Sequence, residues 1–204
     1  MTLRILRLND IYVLDSIDNT KGYDLSIVNG QVQFNWYNGA SGNSITTGSY
    51  SIGTDRWYHL AVTFDGTTYI LYVDGLELAS KNGIVPAQTA STTEALLGAM
   101  YQSSASPVNH FHGWIDEVKI WNKSLDAEQI HQMMNQEIDA LGTDIAGVII
   151  PMRISGADTD NNGIEDNPVV WNDLLGYYRM DTNCGNLNAY KGVSGRLHNI
   201  NTSE

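Results

Sequence analysis

A chain of 204 residues with a formal net charge of −12 has room for one ordinary domain, or for one domain and part of another. Phosphate recognition needs clustered Lys and Arg, so 11 basic residues against 23 acidic ones argue against nucleic acid as a partner. The lone cysteine, Cys184, permits neither an internal disulfide nor a thiolate zinc site, and no apolar run is long enough to insert into a membrane. The acidic balance suits divalent cations, and it equally suits plain solubility. Only 17% of the residues are charged, so the polar surface rests on Thr, Ser, Asn, Gln and Gly, which favours strands and turns over a helical bundle.

The opening MTLRILRLND lacks a continuous apolar core and a small-residue cleavage site, and it reads as a strand rather than a signal peptide. Residues 23–28 and 31–36 flank Asn29-Gly30, a dipeptide that tolerates positive φ at both turn positions and so predicts a hairpin. In WYHLAVTFDGTTYILYVDGLELAS, Leu60, Val62 and Phe64 alternate with His59, Ala61 and Thr63. Asp65-Gly66 and Asp74-Gly75 then turn the chain twice, which predicts an antiparallel meander. Its middle strand, residues 69–73, is apolar on both faces, so two packed sheets are expected: a β-sandwich. Further strands are expected over 94–98 and 114–121, with the polar loop QSSASPVNH between them.

Residues 124–141 predict an amphipathic helix capped by Ser124 or Asp126, with Ile130, Met133, Met134, Ile138 and Leu141 on one face and Gly142 as its C-terminal cap. The Met pair is expected to pack on the sandwich. Residues 142–170, rich in Gly, Asp and Asn, read as a linker, and LLGYYRMD after Trp171 reads as a strand.

Residues 57–130 resemble the laminin-G-like, concanavalin-A-like jelly-roll family. The carriers are WYHLAVTFDGTTYILYVDG, then ALLGA, then FHGWIDEVKIWNKSLDAEQI, in that order. The longer segment that follows is similar to those of multidomain surface proteins of the Bacteroidetes type. The resemblance implies an all-β, antiparallel jelly-roll sandwich. The family's usual opening strand is missing from the start of the chain, and something similar stands at its end, LLGYYRMD followed by VSGRLHNI. The implied organisation is a laminin-G-like domain over 1–141 lacking its first strands, a linker over 142–170, and the first strands of a second repeat over 171–204. A sandwich without its first strands has open edges, which residues 171–204 could fold back to complete.

In DTDNNGIED, Asp158, Asp160 and Asn162 alternate before Gly163, like the start of an EF-hand calcium loop: oxygen ligands at positions 1, 3 and 5 and a sharp turn at 6. The carbonyl of Ile164 and the carboxylate of Asp166 take positions 7 and 9. Val169 at position 12 cannot supply the bidentate carboxylate, so the pattern is no complete EF-hand and is similar to the calcium loops of thrombospondin type 3 repeats. A calcium-stiffened joint and a plain polar linker both remain open. Asp116 and Glu117 are adjacent on a predicted strand, point to opposite faces, and lack the alternating carboxylates of the glucanases that share this fold. One of them is expected to anchor a loop or help a calcium at the sandwich rim. His110 and His112 alternate but have no evident third ligand. No phosphate-binding loop, nucleophile elbow or zinc-protease motif is present, and the glycosylation sequons at Asn122 and Asn201 are common chance matches. Trp36, Tyr37, Tyr58 and Tyr101 are candidate sugar-stacking residues, although most aromatics in such a fold are core.

The resemblance implies a non-catalytic extracellular module, secreted or anchored at the cell surface, that recognises a glycan or a surface protein beside neighbouring repeats of the same chain. Calcium is the one cofactor expected. The alternatives are an accessory domain of a glycoside hydrolase and a structural spacer.

Overall fold

A computed structural model describes residues 1–7, 12–18, 21–39, 42–87, 95–101, 107–180 and 189–192, with residues 2–7, 12–18, 101 and 107 described by backbone alone. The chain forms two compact units, one of residues 4–115 and one of residues 1–3 with 116–204.

The strands in chain order up to the second unit are β1 (Thr2–Arg7), β2 (Tyr12–Asp18), β3 (Lys21–Val28), β4 (Gln31–Asn38), β5 (Gly42–Thr46), β6 (Trp57–Phe64), β7 (Thr68–Val73), β8 (Leu76–Asn82), β9 (Leu96–Leu97), β10 (Met100–Tyr101) and β11 (Pro107–Val108). Strands β2 to β5 and β9 form a five-stranded sheet in the order β5-β4-β3-β2-β9, and its described pairings are antiparallel. A second sheet carries the meander β6-β7-β8, and the small hairpin β10-β11 stands apart. Asn29 and Gly30 have φ of 51° and 79°, and Asp74 and Gly75 have 51° and 77°, the paired positive values that let a two-residue turn follow the strand twist. Leu25, Ile27, Phe34 and Trp36 of one sheet meet Leu60, Tyr69 and Leu71 of the other in the core. Trp36 and Tyr69 join the layers, their rings stacked 4.2 Å apart. The β-sandwich and its hairpins stand as the sequence predicts. β6, rather than β7, is the strand most fully covered on both faces: residues 58–63 are all buried.

The second unit takes up β12 (Gly113–Trp121), then α1 (Ala127–Met133), β13 (Ile138–Leu141), β14 (Asp144–Gly147) and β15 (Leu174–Tyr178). The expected helix over 124–141 is therefore too long. Asp126 caps it in a capping box with Gln129, but it stops at Met133. Residues 138–141 pair instead with 144–147 as a hairpin, and Gly142, at φ 65°, makes its turn rather than a helix cap. The apolar spacing was misleading, because Leu141 is 55% exposed and shares no buried face with Ile138. Met133 is buried and Met134 half-buried.

Residues 142–170 are no free linker. They contain β14 and are bonded to α1: Gln132 exchanges hydrogen bonds with the Ser155 backbone, Asp126 accepts the Ala157 N–H, and Gln129 donates to the Asn167 carbonyl. Residues 174–178 pair with the last strand of the region whose sequence resembles the family. β15 lies antiparallel to β12, with Lys119 opposite Tyr177 and Ile120 opposite Gly176. Residues 181–188 and 193–204 of the proposed second repeat, including Cys184 and Asn201, lie outside the described residues.

A buried charged network fastens this pair of strands. Glu117 Oε2 accepts from Lys119 Nζ at 2.6 Å and from the Tyr177 hydroxyl at 2.7 Å. The same hydroxyl accepts the Ile138 N–H, which ties the β13-β14 hairpin to β15. Burial first, and the Glu117 carboxylate second, hold the Tyr177 phenol protonated far above its usual range. Simple alternation fails at Glu117: at φ 55° it leaves the extended conformation, with its N–H bonded to the Asp116 carboxylate. Residues 117–119 are consequently all buried.

Candidate functional site

Strands β3, β4 and β5 of the five-stranded sheet share one apolar face and one polar face. Along β3 the residues turned from the core are Gly22, Asp24 and Ser26; along β4 they are Gln33, Asn35 and Tyr37; along β5 they are Gly42, Ser44 and Thr46. The register sets these residues in cross-strand rows: Ser26–Gln33–Thr46, Asp24–Asn35–Ser44 and Gly22–Tyr37–Gly42. Gln33 Nε2 donates to Asn35 Oδ1 at 2.7 Å, and Asn35 Nδ2 donates to Asp24 Oδ1 at 2.8 Å. This ladder fixes which end of each amide faces which neighbour. Asp24 and Ser26 are only 1% and 2% exposed although they face away from the core, while Gln33, Asn35, Ser44 and Thr46 are half-buried. The polar face is thus deep at β3 and open at β4 and β5.

Tyr37 lies at one end of the ladder. Its ring crosses Gly42: a Cβ there would sit 2.9 Å from Cε1 and 3.2 Å from Cδ1. Glycine at 42 therefore lets a half-buried ring rest against the neighbouring strand. Trp36 and Tyr58 are corrected as sugar-stacking candidates. Trp36 is 0% exposed between the sheets, and the Tyr58 hydroxyl is spent on the Gly53 N–H. For Tyr101 only the backbone is described. Asp24, Gln33 and Asn35 escaped the sequence reading. Their signal was the polar period-2 row on both sides of Asn29-Gly30, which becomes a site only once the hairpin register pairs it.

The DTDNNGIED segment forms a closed, exposed turn. Asp158 accepts from the N–H groups of Asn162 and Gly163, and Asp160 accepts from the Asn162 N–H and side-chain amide. Asn162 Oδ1 accepts the Ile164 N–H, and Asp166 accepts from the Thr159 N–H and hydroxyl. These Thr159 bonds hold the Asp166 carboxyl below its usual range. Glu165 turns away, to the Gly156 N–H and Arg153. The donor set, Asp158, Asp160, Asn162, the Ile164 carbonyl and Asp166, is all oxygen and fits a hard cation chemically. Among the described residues, however, no three His, Cys, Asp or Glu side chains are gathered to hold a metal ion. Taking one would draw Asp158, Asp160 and Asp166 closer together. Asp116 and Glu117 are not a catalytic pair, since Glu117 is buried against Lys119. His110 and His112 are exposed.

The family model of the concanavalin A-like lectin and glucanase superfamily matches residues 7–131, more than half of the chain, and the chain belongs to that superfamily. Among solved structures, a Bacteroides ovatus protein with a proposed carbohydrate-binding role superposes at a TM-score of 0.62 with 19% identity, over 96% of this chain and 50% of that one. The chain thus spans about half the length of that protein. Domain 4 of the extracellular arabinanase AbnA from Geobacillus stearothermophilus, solved with arabinotriose, superposes at 0.52 with 21% identity, over 66% of this chain and 65% of that one. Domains LG4-5 of the mouse laminin α1 chain follow at 0.48 and 20% identity, over 58% and 33%. A search of curated protein sequences finds no match. Among the described residues no helix is long and apolar enough to cross a membrane.

Proposed function

We propose that the chain is a non-catalytic extracellular binding module, one of a tandem series, that takes a glycan on the polar face of β3, β4 and β5. The observation that carries this reading is the Tyr37 ring resting across Gly42 beside the Gln33–Asn35–Asp24 ladder. A sugar ring has an apolar C–H face that an aromatic ring can cover, and hydroxyls that oriented amides can both donate to and accept from. Likeness to a sugar-bound arabinanase domain supports the reading at the level of fold. Glycoside hydrolysis needs two carboxylates flanking the scissile bond. The described side chains of this face offer one carboxylate, Asp24, and it is buried. Titration of arabinotriose and other oligosaccharides by calorimetry tests the reading. Tyr37→Ala is expected to weaken binding by about tenfold, or roughly 1.4 kcal/mol, with the fold intact. Equal affinity in parent and variant would remove this face as the site.

We also propose weak calcium binding at the 158–166 turn, supported by its all-oxygen donor set and its closed backbone. Calorimetric titration is expected to show heat in the parent that is lost in Asp158→Ala/Asp160→Ala, with a dissociation constant of about 0.1–1 mM, the range of extracellular modules. Heat unchanged by the double substitution would place any calcium elsewhere.

A further inference from the structure

We propose that the glycan taken by the polar face of β3, β4 and β5 is uncharged, an inference that rests on the binding reading above. The rows of this face carry Gly22, Asp24, Ser26, Gln33, Asn35, Tyr37, Gly42, Ser44 and Thr46, with no Lys or Arg among them. Recognition of a sulfate, a uronate or a sialic acid requires a cation, or backbone N–H groups aimed at the anion. Among the described residues the two cations nearest these rows, Lys21 and Lys81, lie off them. Lys21 falls on the alternate row with Tyr23 and Leu25, and Lys81 of β8 donates to the Ser44 carbonyl with its ammonium 5.5 Å from the Trp36 ring.

The charge that the face does hold is negative and deep. Asp24 is 1% exposed at the closed side of the ladder. A ligand carboxylate or sulfate there would meet a like charge, within a chain whose net charge is already −12. Asp24 itself is a positioning residue: it accepts the Asn35 amide, so that the groups turned to the ligand are neutral amides and hydroxyls. Such groups match sugar hydroxyls in number and polarity, and they give an anion no compensating charge.

The test is a calorimetric comparison of size-matched probes on the full chain and on Tyr37→Ala: arabinotriose and a xylose trimer against a galacturonate trimer and sialyllactose. Each is measured at low salt and at about 0.15 M, where the Debye length is about 8 Å. The expected result is binding of a neutral probe at least about tenfold tighter than either acidic one, lost in Tyr37→Ala and indifferent to salt. An acidic probe that binds more tightly, weakens with salt and depends on Tyr37 would overturn the uncharged assignment and leave the glycan site standing. Binding of no probe of either class would sink the glycan site, and this inference with it.

Discussion

Replacing Glu117 by Ala is expected to lower the unfolding free energy by about 3–5 kcal/mol, because it strips the carboxylate from a buried ammonium. Both partners are nearly closed to water, the Lys119 side chain at 3% and that of Glu117 at 5%, with nitrogen and oxygen 2.6 Å apart. Desolvation of two charges offsets most of their attraction, so the intact pair stabilises little in itself. Loss of one member has a different consequence: the other stays desolvated without its counter-charge, and the Tyr177 hydroxyl loses its acceptor. The double change Glu117→Leu/Lys119→Met removes both charges at similar volume, and is expected to recover most of the loss. Urea unfolding of the parent and both variants decides. A loss below about 1 kcal/mol in Glu117→Ala would mean that water or a rearranged partner reaches Lys119.

Trp36→Ala is expected to cost about 3–5 kcal/mol and to leave any oligosaccharide site without its supporting sheet. The indole lies between the layers, stacked on Tyr69 at 4.2 Å and 6.1 Å from Phe34, with no exposed surface. The chain passes so close that a Cβ on Gly83 would stand 2.8 Å from the ring. Truncation therefore opens a cavity in a region with little freedom to collapse. Among the described residues the indole N–H has no hydrogen-bond partner, so Trp36→Phe should retain most of the stability. Tyr37→Ala, one residue further on, should stay within about 1 kcal/mol of the parent. Denaturant midpoints for the three variants separate the two roles. A Trp36→Ala chain as stable as Tyr37→Ala would contradict a core position for the indole.

The hairpins were readable because Asn29-Gly30 and Asp74-Gly75 encode their own turns. The helix boundary was not. Apolar spacing at Ile130, Met133 and Ile138 continues across a point where the backbone changes from α1 to β13, and pairing with residues 144–147 decides the matter. Naming Trp36 among the candidate sugar-stacking residues missed its parity with Phe34 on the core face, which alternation alone discloses. Tyr37 was a candidate by residue type alone, and its neighbours Asp24, Asn35 and Gly42 are assembled around it only by the strand register. The left-handed backbone at Glu117 has no local sequence signal: a β-strand pattern with Asp116-Glu117 in it reads as plain alternation.

The pairing of β15 with β12 places two kinds of boundary at different residues. LLGYYRMD resembles the opening of a domain, yet Leu174–Tyr178 lies on the strand whose residues resemble a domain's close. Likeness of sequence would divide the polypeptide near Gly142. A polypeptide cut there would lose the hydrogen-bonding partner of residues 118–121 together with the phenol that Glu117 holds, and would bare a sheet edge open to strands of other molecules. A cut that respects the strand pairing therefore belongs beyond Tyr178.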